Sequence, residues 1–313
     1  MIVFIPSYNS RTTIINTIKS VACCDIGRSG HLKIIIYDDC STDDSVKLIN
    51  EYLINNKKIP IEVWLGVSNI GERGSCNFCF KKLFEMGEKW VFVIHADDLA
   101  KSNWIDELYL QIDFNNEHIG SICCSWDVLF ANGNIVPGEN NALKNHELIV
   151  GNNESASNTL LKGCWWHFSG CALNLEIFDN IGGFKNNMPQ LGDLEYLIRM
   201  LSLNYSVLYI PRSLLYYRQI SSSVSSISFN LNRDIYETYL IMKYCEKLSF
   251  PKTKLIKKCK KTIRLCIHRA ISSFLKIKII RFISSIKLFG IFVLYLVYLL
   301  FLPNKAIRRE KYI

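Results

Sequence analysis

Glycine and proline are scarce in this sequence, with 16 glycines and 7 prolines among 313 residues. It also has no internal repeat and no extended low-complexity stretch. These absences exclude collagen-like and largely disordered proteins, whose compositions are biased toward such residues. Because hydrophobic residues make up 49% of the chain, we expect a folded protein with one large domain, or with one domain and an appendage.

Acidic residues are almost absent from the end of the chain. Residues 252–313 contain 16 lysines and arginines and one acidic residue, whereas residues 1–251 contain 21 basic and 27 acidic residues. The net charge of +9 therefore combines a mildly acidic body with a strongly basic tail. A uniformly basic nucleic-acid-binding protein would not be divided in this way, so no nucleic-acid partner is expected.

Paired zinc-binding motifs are missing as well. The twelve cysteines are scattered, and the one isolated Cys-x-x-Cys pair, Cys76 and Cys79, has no second pair and no nearby histidine at zinc spacing. We interpret these two residues as small apolar side chains of the core. The first predicted strand begins at Ile2, which leaves no signal peptide, so we expect a reducing cytoplasm.

Apolar runs alternate with helical patterns over the first hundred residues. Strands are predicted at Ile2–Ile5, Leu32–Tyr37, Ile61–Leu65 and Trp90–Ile94, and helices at Thr12–Val21, Ser45–Leu53 and Gly74–Met86. Continuous apolar strands separated by helices are typical of a parallel sheet that is covered on both faces. The predicted fold class is therefore α/β, with a mostly parallel central sheet.

The middle of the chain is less regular. Residues Ile119–Phe130 predict a strand that enters a hairpin at Ala131–Asn134, and residues 137–163 predict a polar loop. A helical apolar period returns at Leu191–Leu203.

Polar and turn-forming residues follow each of the first four strands. They read "PSYN" (Pro6–Asn9), "DDCSTDD" (Asp38–Asp44), "GVSNIGERG" (Gly66–Gly74) and "HADD" (His95–Asp98). The carboxyl ends of parallel strands meet at one edge of the sheet, where ligands of such folds bind. By position alone, this edge is predicted to bind a nucleotide. Two adjacent carboxylates repel each other, so the last motif indicates either a solvated pair or a cation site.

The basic tail carries a membrane signal. A helical apolar stripe among lysines and arginines runs from Leu255 to Phe274, and Leu288–Leu302 is a run of 15 residues without a charge. A full span needs about 20 residues, which the run reaches only if Phe282–Ile286 is included and Lys287 snorkels. A basic amphipathic helix beside an apolar segment is typical of attachment to an anionic leaflet. Spanning and interfacial attachment both stay open.

Six motifs, in their order and spacing, resemble those of the family 2 glycosyltransferases: "VFIPSYN", "YDDCSTDDS", "SNIGERGSCN", "HADD", "GDLEYLIR" and "YYRQISSSVS". The resemblance, which continues through Phe168–Phe184, covers residues 1–225. It implies an A-type glycosyltransferase fold with a Rossmann-like sheet that binds a nucleotide sugar. It also implies a catalytic domain over 1–225, with a nucleotide-binding half (1–100) and an acceptor-binding half (101–225), followed by a helical region over 226–313.

The resemblance assigns nucleotide contacts to the first three motifs. It places Pro6, Ser7 and Tyr8 around the base and ribose. Either Asp38 or Asp39 could accept the imide N–H of uracil, a donor that demands an acceptor when buried, and the family pattern favours Asp39. Two further residues complete this set, with Arg73 reaching the base or a phosphate and Asn69 fixing its loop.

The fourth motif implies a divalent metal, Mn²⁺ or Mg²⁺, on Asp97 and Asp98. Carboxylate oxygens suit these ions, with the donor phosphates and water completing the shell. One of the two aspartates would bind the metal, and the other would contact ribose or metal-bound water. The family's first aspartate is replaced here by His95. The alternative is that Asp98 is an exposed N-cap of a helix and that no metal binds.

The later motifs imply the catalytic, diphosphate and acceptor residues. Asp193 matches the aspartate that takes the acceptor proton, with Glu195 as the second candidate, and Gly192 stands where the family has glutamate. Arg218 and Ser223 are candidates for the diphosphate, and Ile220 replaces the family's histidine.

An aromatic run precedes the segment that borders the acceptor pocket in the family. Trp165, Trp166 and His167 are therefore candidates for acceptor binding. Core packing of the two tryptophans is the equal alternative.

The resemblance, together with the basic tail, implies an inverting, metal-assisted enzyme that transfers a sugar from a nucleotide donor, UDP first, to a lipid-linked glycan. The expected setting is bacterial surface polysaccharide assembly, O-antigen or capsule, at the cytoplasmic face of the inner membrane. Two alternatives stay open. A sugar-nucleotide nucleotidyltransferase shares the sheet but needs a glycine-rich phosphate loop, which "PSYNSRTT" lacks. An inactive membrane-bound scaffold of the same fold is compatible with the replaced residues at 95, 192 and 220.

Overall fold

A computed structural model describes residues 1–27, 31–56, 60–113, 116–138, 145, 147–219 and 230–301. The strands are β1 (Ile2–Ser7), β2 (Lys33–Asp38), β3 (Ile61–Leu65), β4 (Trp90–Val93), β5 (Leu99–Ala100), β6 (Ile119–Leu129), β7 (Ile135–Pro137), β8 (Glu147–Ile149), β9 (Ala172–Asn174) and β10 (Ser206–Arg218). The helices are α1 (Ile14–Ala22), α2 (Ser45–Asn55), α3 (Gly71–Glu85), α4 (Trp104–Tyr109), α5 (Asn153–Lys162), α6 (Leu175–Ile181), α7 (Gly192–Ser202), α8 (Arg233–Lys247), α9 (Lys252–Leu275) and α10 (Ile279–Phe301).

One sheet organises the chain, in the order β3-β2-β1-β4-β9-β6-β10-β5. The first four strands pair in parallel, with Ile2 opposite Lys33 on one side and Val91 on the other. All six residues of β1 are buried, as expected for a strand with helices on both faces. The predicted parallel sheet of the first hundred residues is confirmed.

The second half of the sheet is mixed. Strand β9 lies antiparallel between β4 and β6, and β6 pairs in parallel with the long strand β10. Strand β5, immediately after the "HADD" motif, pairs antiparallel with β10 at Leu215 and Tyr216. This pairing brings the end of β10 beside the aspartate pair. The hairpin predicted after β6 is confirmed, because β7 pairs antiparallel with it.

The prediction of a loop over 137–163 is wrong in its second half. Residues Glu147–Ile149 form β8, and Asn153–Lys162 form α5. Helix α5 begins with a capping box, in which the Asn152 side chain accepts from the backbone of Ser155 and the Ser155 hydroxyl accepts from the backbone of Asn152. Its short buried face, Ala156 and Leu160, gives too weak an apolar period to stand out in a polar segment.

The C-terminal helices share a core with the first part of the chain. Buried residues of α8, α9 and α10 belong to the same apolar cluster as Phe80 of α3 and Tyr196 of α7. Glu237 of α8 is fully buried and accepts hydrogen bonds from the backbone N–H groups of Gln190 and Leu191, at 3.1 and 2.6 Å. Helix α8 therefore holds the segment that opens α7.

Helices α9 and α10 form an antiparallel hairpin. Among the described residues, α10 is the one helix long and apolar enough to cross a membrane, and 28% of its most apolar window is buried.

Candidate active site

The first two strand ends form one hydrogen-bonded edge. Asp38 is buried and accepts from the Ser41 backbone at 2.8 Å and from the Ser41 hydroxyl at 2.7 Å. Asp39, also buried, accepts from the backbone N–H groups of Ile70 at 3.0 Å and Gly71 at 2.8 Å. Each carboxylate oxygen has a second lone pair, so Asp39 can both anchor the loop before α3 and accept a further donor.

The other predicted nucleotide contacts surround this edge. Pro6 and Ser7 are buried at the end of β1, whereas Tyr8 is 48% exposed and presents its ring to solvent. Asn69 accepts from the backbone of Gly71 at 3.2 Å, in agreement with a role in fixing its loop. Gly71 has a φ of +76°, a conformation that favours glycine.

The "HADD" residues cluster as the sequence suggested. Ligand atoms of His95, Asp97 and Asp98 all lie within 4.8 Å of one another. One oxygen of the fully buried Asp98 accepts from the Arg218 backbone at 3.0 Å, and the other, Oδ2, has no hydrogen-bond partner among the described residues. Burial, with Asp97 beside it, raises the pKa of Asp98 to about 7. A buried carboxylate oxygen without a donor fits a bound cation.

His95 has a partner of its own. Its Nε2 lies 3.4 Å from Oε1 of Glu72, in the first turn of α3. Burial lowers the pKa of His95, but Glu72 outweighs that effect and raises it to about 9. A protonated imidazole has no lone pair for a metal. The carboxylates of Asp97 and Asp98 are therefore the donors that fit one.

Arg73 lies at the centre of the site. It is 6% exposed and contacts two carboxylates, Glu72 at 3.1 Å and Asp193 in a closer ion pair. Its guanidinium stands 4.9 Å from the ring centre of Phe184 and 5.6 Å from that of Phe168. This geometry is typical of cation–π contacts. Arg73 thus links Glu72 and Asp193 inside the site.

Asp193 lies in the first turn of α7, where the helix dipole favours a negative charge. Its side chain is 28% exposed. Burial raises the pKa of Asp193 above its ordinary value, although Arg73 opposes the rise. A carboxylate with a raised pKa, partly open to solvent, can take a proton from a hydroxyl.

Glu195 is engaged elsewhere. It is 2% exposed and accepts two hydrogen bonds from Arg199, at 2.9 and 2.8 Å. Arg199 also donates to the backbone carbonyls of Ile181 and Gly183. The structure therefore gives Glu195 a place in the packing of α7 and leaves Asp193 as the candidate base.

The predicted aromatic trio divides into two groups. Trp165 and Trp166 are buried and donate to Thr159 and Ser121, at 3.0 and 2.9 Å, so both belong to the core. His167 is half-buried and lies outside the core.

His167 forms an aromatic wall with Trp126 and Tyr217. The Trp126 ring stacks on the His167 ring with their centres 4.7 Å apart. The Tyr217 ring contacts the His167 ring edge-on, with a centre-to-centre distance of 5.3 Å. Tyr217 directly precedes Arg218, whose backbone N–H donates to Asp98 at 3.0 Å, so this wall lies next to the aspartate pair.

The residues of the last motif have different outcomes. The backbone of Arg218 holds Asp98, and its side chain is half-buried. Ser223 and Ile220 lie outside the described residues.

Sequence reasoning missed four residues of this region: Glu72, Trp126, Tyr217 and Glu237. Glu72 is adjacent to Arg73 in "GERG". Its carboxylate pairs with both Arg73 and His95 and balances their positive charge. Tyr217 stands in the quoted motif "YYRQ" beside Arg218. Trp126 and Glu237 carry no local signal, because β6 and α8 reach the site only through the tertiary fold.

Comparisons with known proteins agree with this geometry. Residues 2–170 match the sequence model of glycosyl transferase family 2. No curated protein matches the chain. Among solved structures, S. aureus TarS aligns at 16% identity and a TM-score of 0.56, over 82% of this chain and 43% of that protein, so the present chain spans less than half of its length.

Two further structures cover most of both chains. The TarS 1–349 fragment in complex with UDP aligns at 14% identity and a TM-score of 0.54, over 92% of this chain and 88% of the fragment. Mannosyltransferase PcManGT from Pyrobaculum calidifontis, in complex with GDP-Man and Mn²⁺, aligns at 12% identity and a TM-score of 0.52, over 96% and 83%. At these identities the likeness shows a shared fold, the A-type glycosyltransferase fold expected above. With the family match over more than half of its residues, the chain belongs to glycosyl transferase family 2.

Proposed function

We propose that this glycosyltransferase is an inverting enzyme that uses Asp193 as its general base and a UDP-sugar as its donor. The observation that carries the proposal is the path of contacts from Asp193 through Arg73 and Glu72 to His95. His95 clusters with Asp97 and Asp98. The candidate base and the candidate diphosphate site thereby meet at one sheet edge, although almost a hundred residues separate them.

The residues support a single displacement. Asp193 takes the proton of the acceptor hydroxyl, whose oxygen forms a bond to the anomeric carbon from the face opposite the nucleotide. The bond from that carbon to the diphosphate oxygen breaks, and its electron pair leaves with the nucleoside diphosphate. An α-linked donor therefore gives a β-glycoside. Asp39 accepts the imide N–H of uracil with its remaining lone pairs, and the exposed ring of Tyr8 packs on the base.

Asp97 and Asp98 are the residues that would hold a divalent ion, Mn²⁺ or Mg²⁺. The fit rests on the buried, unpartnered Oδ2 of Asp98 and on the neighbouring carboxylate. When bound, such an ion neutralises the diphosphate of the donor. The Mn²⁺ complex of PcManGT, of the same fold, supports this choice of ion.

The acceptor is a lipid-linked glycan of bacterial surface polysaccharide assembly, O-antigen or capsule, reached at the cytoplasmic face of the inner membrane. The apolar helix α10 and the basic tail support a membrane-embedded acceptor. His167, with Trp126 and Tyr217, offers an aromatic surface beside the aspartate pair for an acceptor sugar ring. Trp165 and Trp166, already packed in the core, are not part of this acceptor surface.

A donor panel tests the proposal directly. The full chain in mild detergent is given UDP-, GDP- and dTDP-sugars with Mn²⁺ or Mg²⁺, and nucleotide release is measured. We expect slow release from one UDP-sugar, loss with EDTA, and loss in Asp193→Asn with UDP affinity retained. Asp44→Asn, an exposed aspartate at the same edge, serves as the matched control.

Two results would contradict the proposal. Release of pyrophosphate from a nucleoside triphosphate in the presence of a sugar phosphate would indicate a nucleotidyltransferase. Absence of UDP binding by calorimetry would indicate an inactive scaffold.

A further inference from the structure

Helix α10 has two apolar faces, and the protein covers one of them. Its inner face packs on α8 and α9 through the buried residues Ser285, Leu288, Phe292, Tyr295 and Leu299. Its outer face is between 45% and 83% exposed at Ile279, Ile283, Ile286, Leu294, Val297 and Phe301. These positions recur at helical spacing and form one stripe along the whole helix. A stripe of this length on the surface requires a cover.

Helix α9 accompanies α10 from end to end. The Lys252 ammonium donates to the Leu300 carbonyl at 3.3 Å, and Cys259 Sγ donates to the Phe292 carbonyl at 3.2 Å. At the other end, the rings of Phe274 and Phe282 are 5.6 Å apart. The start, middle and end of the hairpin are therefore all in contact.

The outer side of α9 is strongly basic. Lys257, Lys260, Lys261 and Arg264 are exposed. If α10 crossed the hydrocarbon core in this arrangement, α9 would have to carry these four charges with it to the same depth. Charged side chains are strongly disfavoured there. The hairpin therefore fits a surface position better than a crossing.

The turn between the helices agrees with a lipid contact. Ile277 is 83% exposed and has a φ of +54°, which is unfavourable for a β-branched residue. Exposed lysines, Lys276 and Lys278, flank it. Apolar tips between cations match the boundary between acyl chains and anionic headgroups. Neither helix contains an acidic residue.

We propose that α10 lies in the plane of an anionic bilayer surface. Its outer stripe and the Ile277 turn enter the headgroup boundary, and the basic face of α9 meets the headgroups. The occupant of the stripe is thus the lipid surface. This inference deepens the membrane location proposed above, but it rests on α9 and α10 alone, so it stands or falls independently of the transfer reaction.

Vesicle flotation tests the stripe. The full chain is mixed with vesicles of phosphatidylcholine, with and without phosphatidylglycerol. We expect flotation with the anionic vesicles and at least a ten-fold lower bound fraction for the double variant Ile283→Glu/Leu294→Glu. The control pair Ile54→Glu/Leu110→Glu, 71% and 52% exposed in wild type on other elements, should float as wild type does. Retained UDP affinity and an unchanged unfolding temperature show that each variant is folded.

A protease test separates the in-plane position from a span and needs no stripe variant. An epitope added after residue 313 is digested from outside sealed vesicles if α10 lies in the plane. Protection of the epitope would mean that the helix crosses and would overturn the proposal. The proposal would also fail if the wild-type protein did not bind anionic vesicles and instead formed dimers, measured by sedimentation, that the stripe variant could not form.

Discussion

Arg73 pairs with Asp193 directly over Gly192, the position where the family pattern has glutamate. A Cβ at residue 192 would lie 2.9 Å from the Arg73 Nε. The missing side chain thus provides the space in which the arginine reaches the candidate base. Glu72, on the other side of Arg73, supplies a second carboxylate. The absence of a side chain at residue 192 and the Glu72–Arg73 pair therefore belong to the same set of contacts around Arg73.

Removal of the Arg73 charge should move the pH dependence of the reaction. Arg73 opposes the burial that raises the pKa of Asp193, so Arg73→Met should raise that pKa further. A base works only when deprotonated, and the acidic limb of kcat/KM should therefore shift to higher pH. Arg73→Lys keeps the charge and should shift it less. Equal profiles for both variants and wild type would contradict the link between Arg73 and the base.

A single methyl group at residue 192 should reduce turnover. Gly192→Ala places a Cβ 2.9 Å from the Arg73 Nε, so the arginine has to shift within its pair with Asp193. Displacements of about 1 Å can cost on the order of 100-fold in rate. We expect lower kcat with near-normal UDP affinity. The matched control is Gly290→Ala in α10, where nothing lies within 4 Å of the new Cβ, and its activity should equal that of wild type. Unchanged kcat in Gly192→Ala would show that Arg73 tolerates the methyl group without leaving the base.

Loss of the Glu195 carboxylate should affect stability more than chemistry. Glu195→Ala leaves the buried Arg199 guanidinium without its bidentate partner, and breaking such a pair costs about 3–5 kcal/mol of unfolding free energy. The double variant Glu195→Leu/Arg199→Met should recover part of that loss. Urea unfolding measures both. Folded Glu195→Leu/Arg199→Met should retain kcat within a few-fold, and a loss as large as that of Asp193→Asn would reassign the base.

Metal binding should be visible without turnover. An ion that binds only the folded state adds about 2.7 kcal/mol of stability at a hundred times its Kd. We therefore expect Mn²⁺ to raise the unfolding temperature of wild type, EDTA to reverse the rise, and Asp97→Asn/Asp98→Asn to abolish it. Asp44→Asn should respond as wild type does. If the double variant kept the full shift, the metal would be bound elsewhere.

Attachment of the α9–α10 hairpin should respond to salt. Exposed cations on α9 interact with anionic headgroups through a field that falls off over about 10 Å at 0.1 M salt. The double substitution Lys260→Gln/Lys261→Gln should weaken vesicle binding at low salt and have little effect at 1 M salt. Flotation over a salt series measures this. Salt-independent binding in wild type and variant alike would indicate that the apolar stripe acts without the charges.

Much of the parallel half of the sheet follows from local patterns. Runs such as Ile2–Ile5 and Trp90–Ile94 are apolar because both faces of a parallel strand are buried, and that requirement is legible in the sequence itself. The polar residues after each run then had to share an edge. Asp38, Asp39 and the aspartate pair at 97 and 98 were found by this rule, and the structure brings them to the predicted strand ends.

The roles of Glu195, Trp165 and Trp166 were not accessible in the same way. In sequence, Glu195 and Asp193 both look like acidic residues in the first turn of a helix. Two positions along α7 correspond to a rotation of about 200°, which turns Glu195 toward Arg199 and Asp193 toward Arg73. In sequence, a tryptophan beside a polar segment is equally compatible with the core and with a binding surface. Only the tertiary structure shows whether its indole N–H has a partner inside the protein, as it does in Trp165 and Trp166.

The sequence by itself determined the α/β class, the family, the parallel pairing of the first strands, the gathering of polar residues at their carboxyl ends and the basic, apolar character of the tail. Each of these depends on residues close together along the chain. The tertiary structure decided that Asp193 pairs with Arg73 and Glu195 with Arg199, that His95 pairs with Glu72, that Arg73 fills the space over Gly192, and that α10 is joined along its length to a charged helix. Those outcomes depend on side chains that come from separate elements, and their burial and charge neutralisation exist only after the elements have packed.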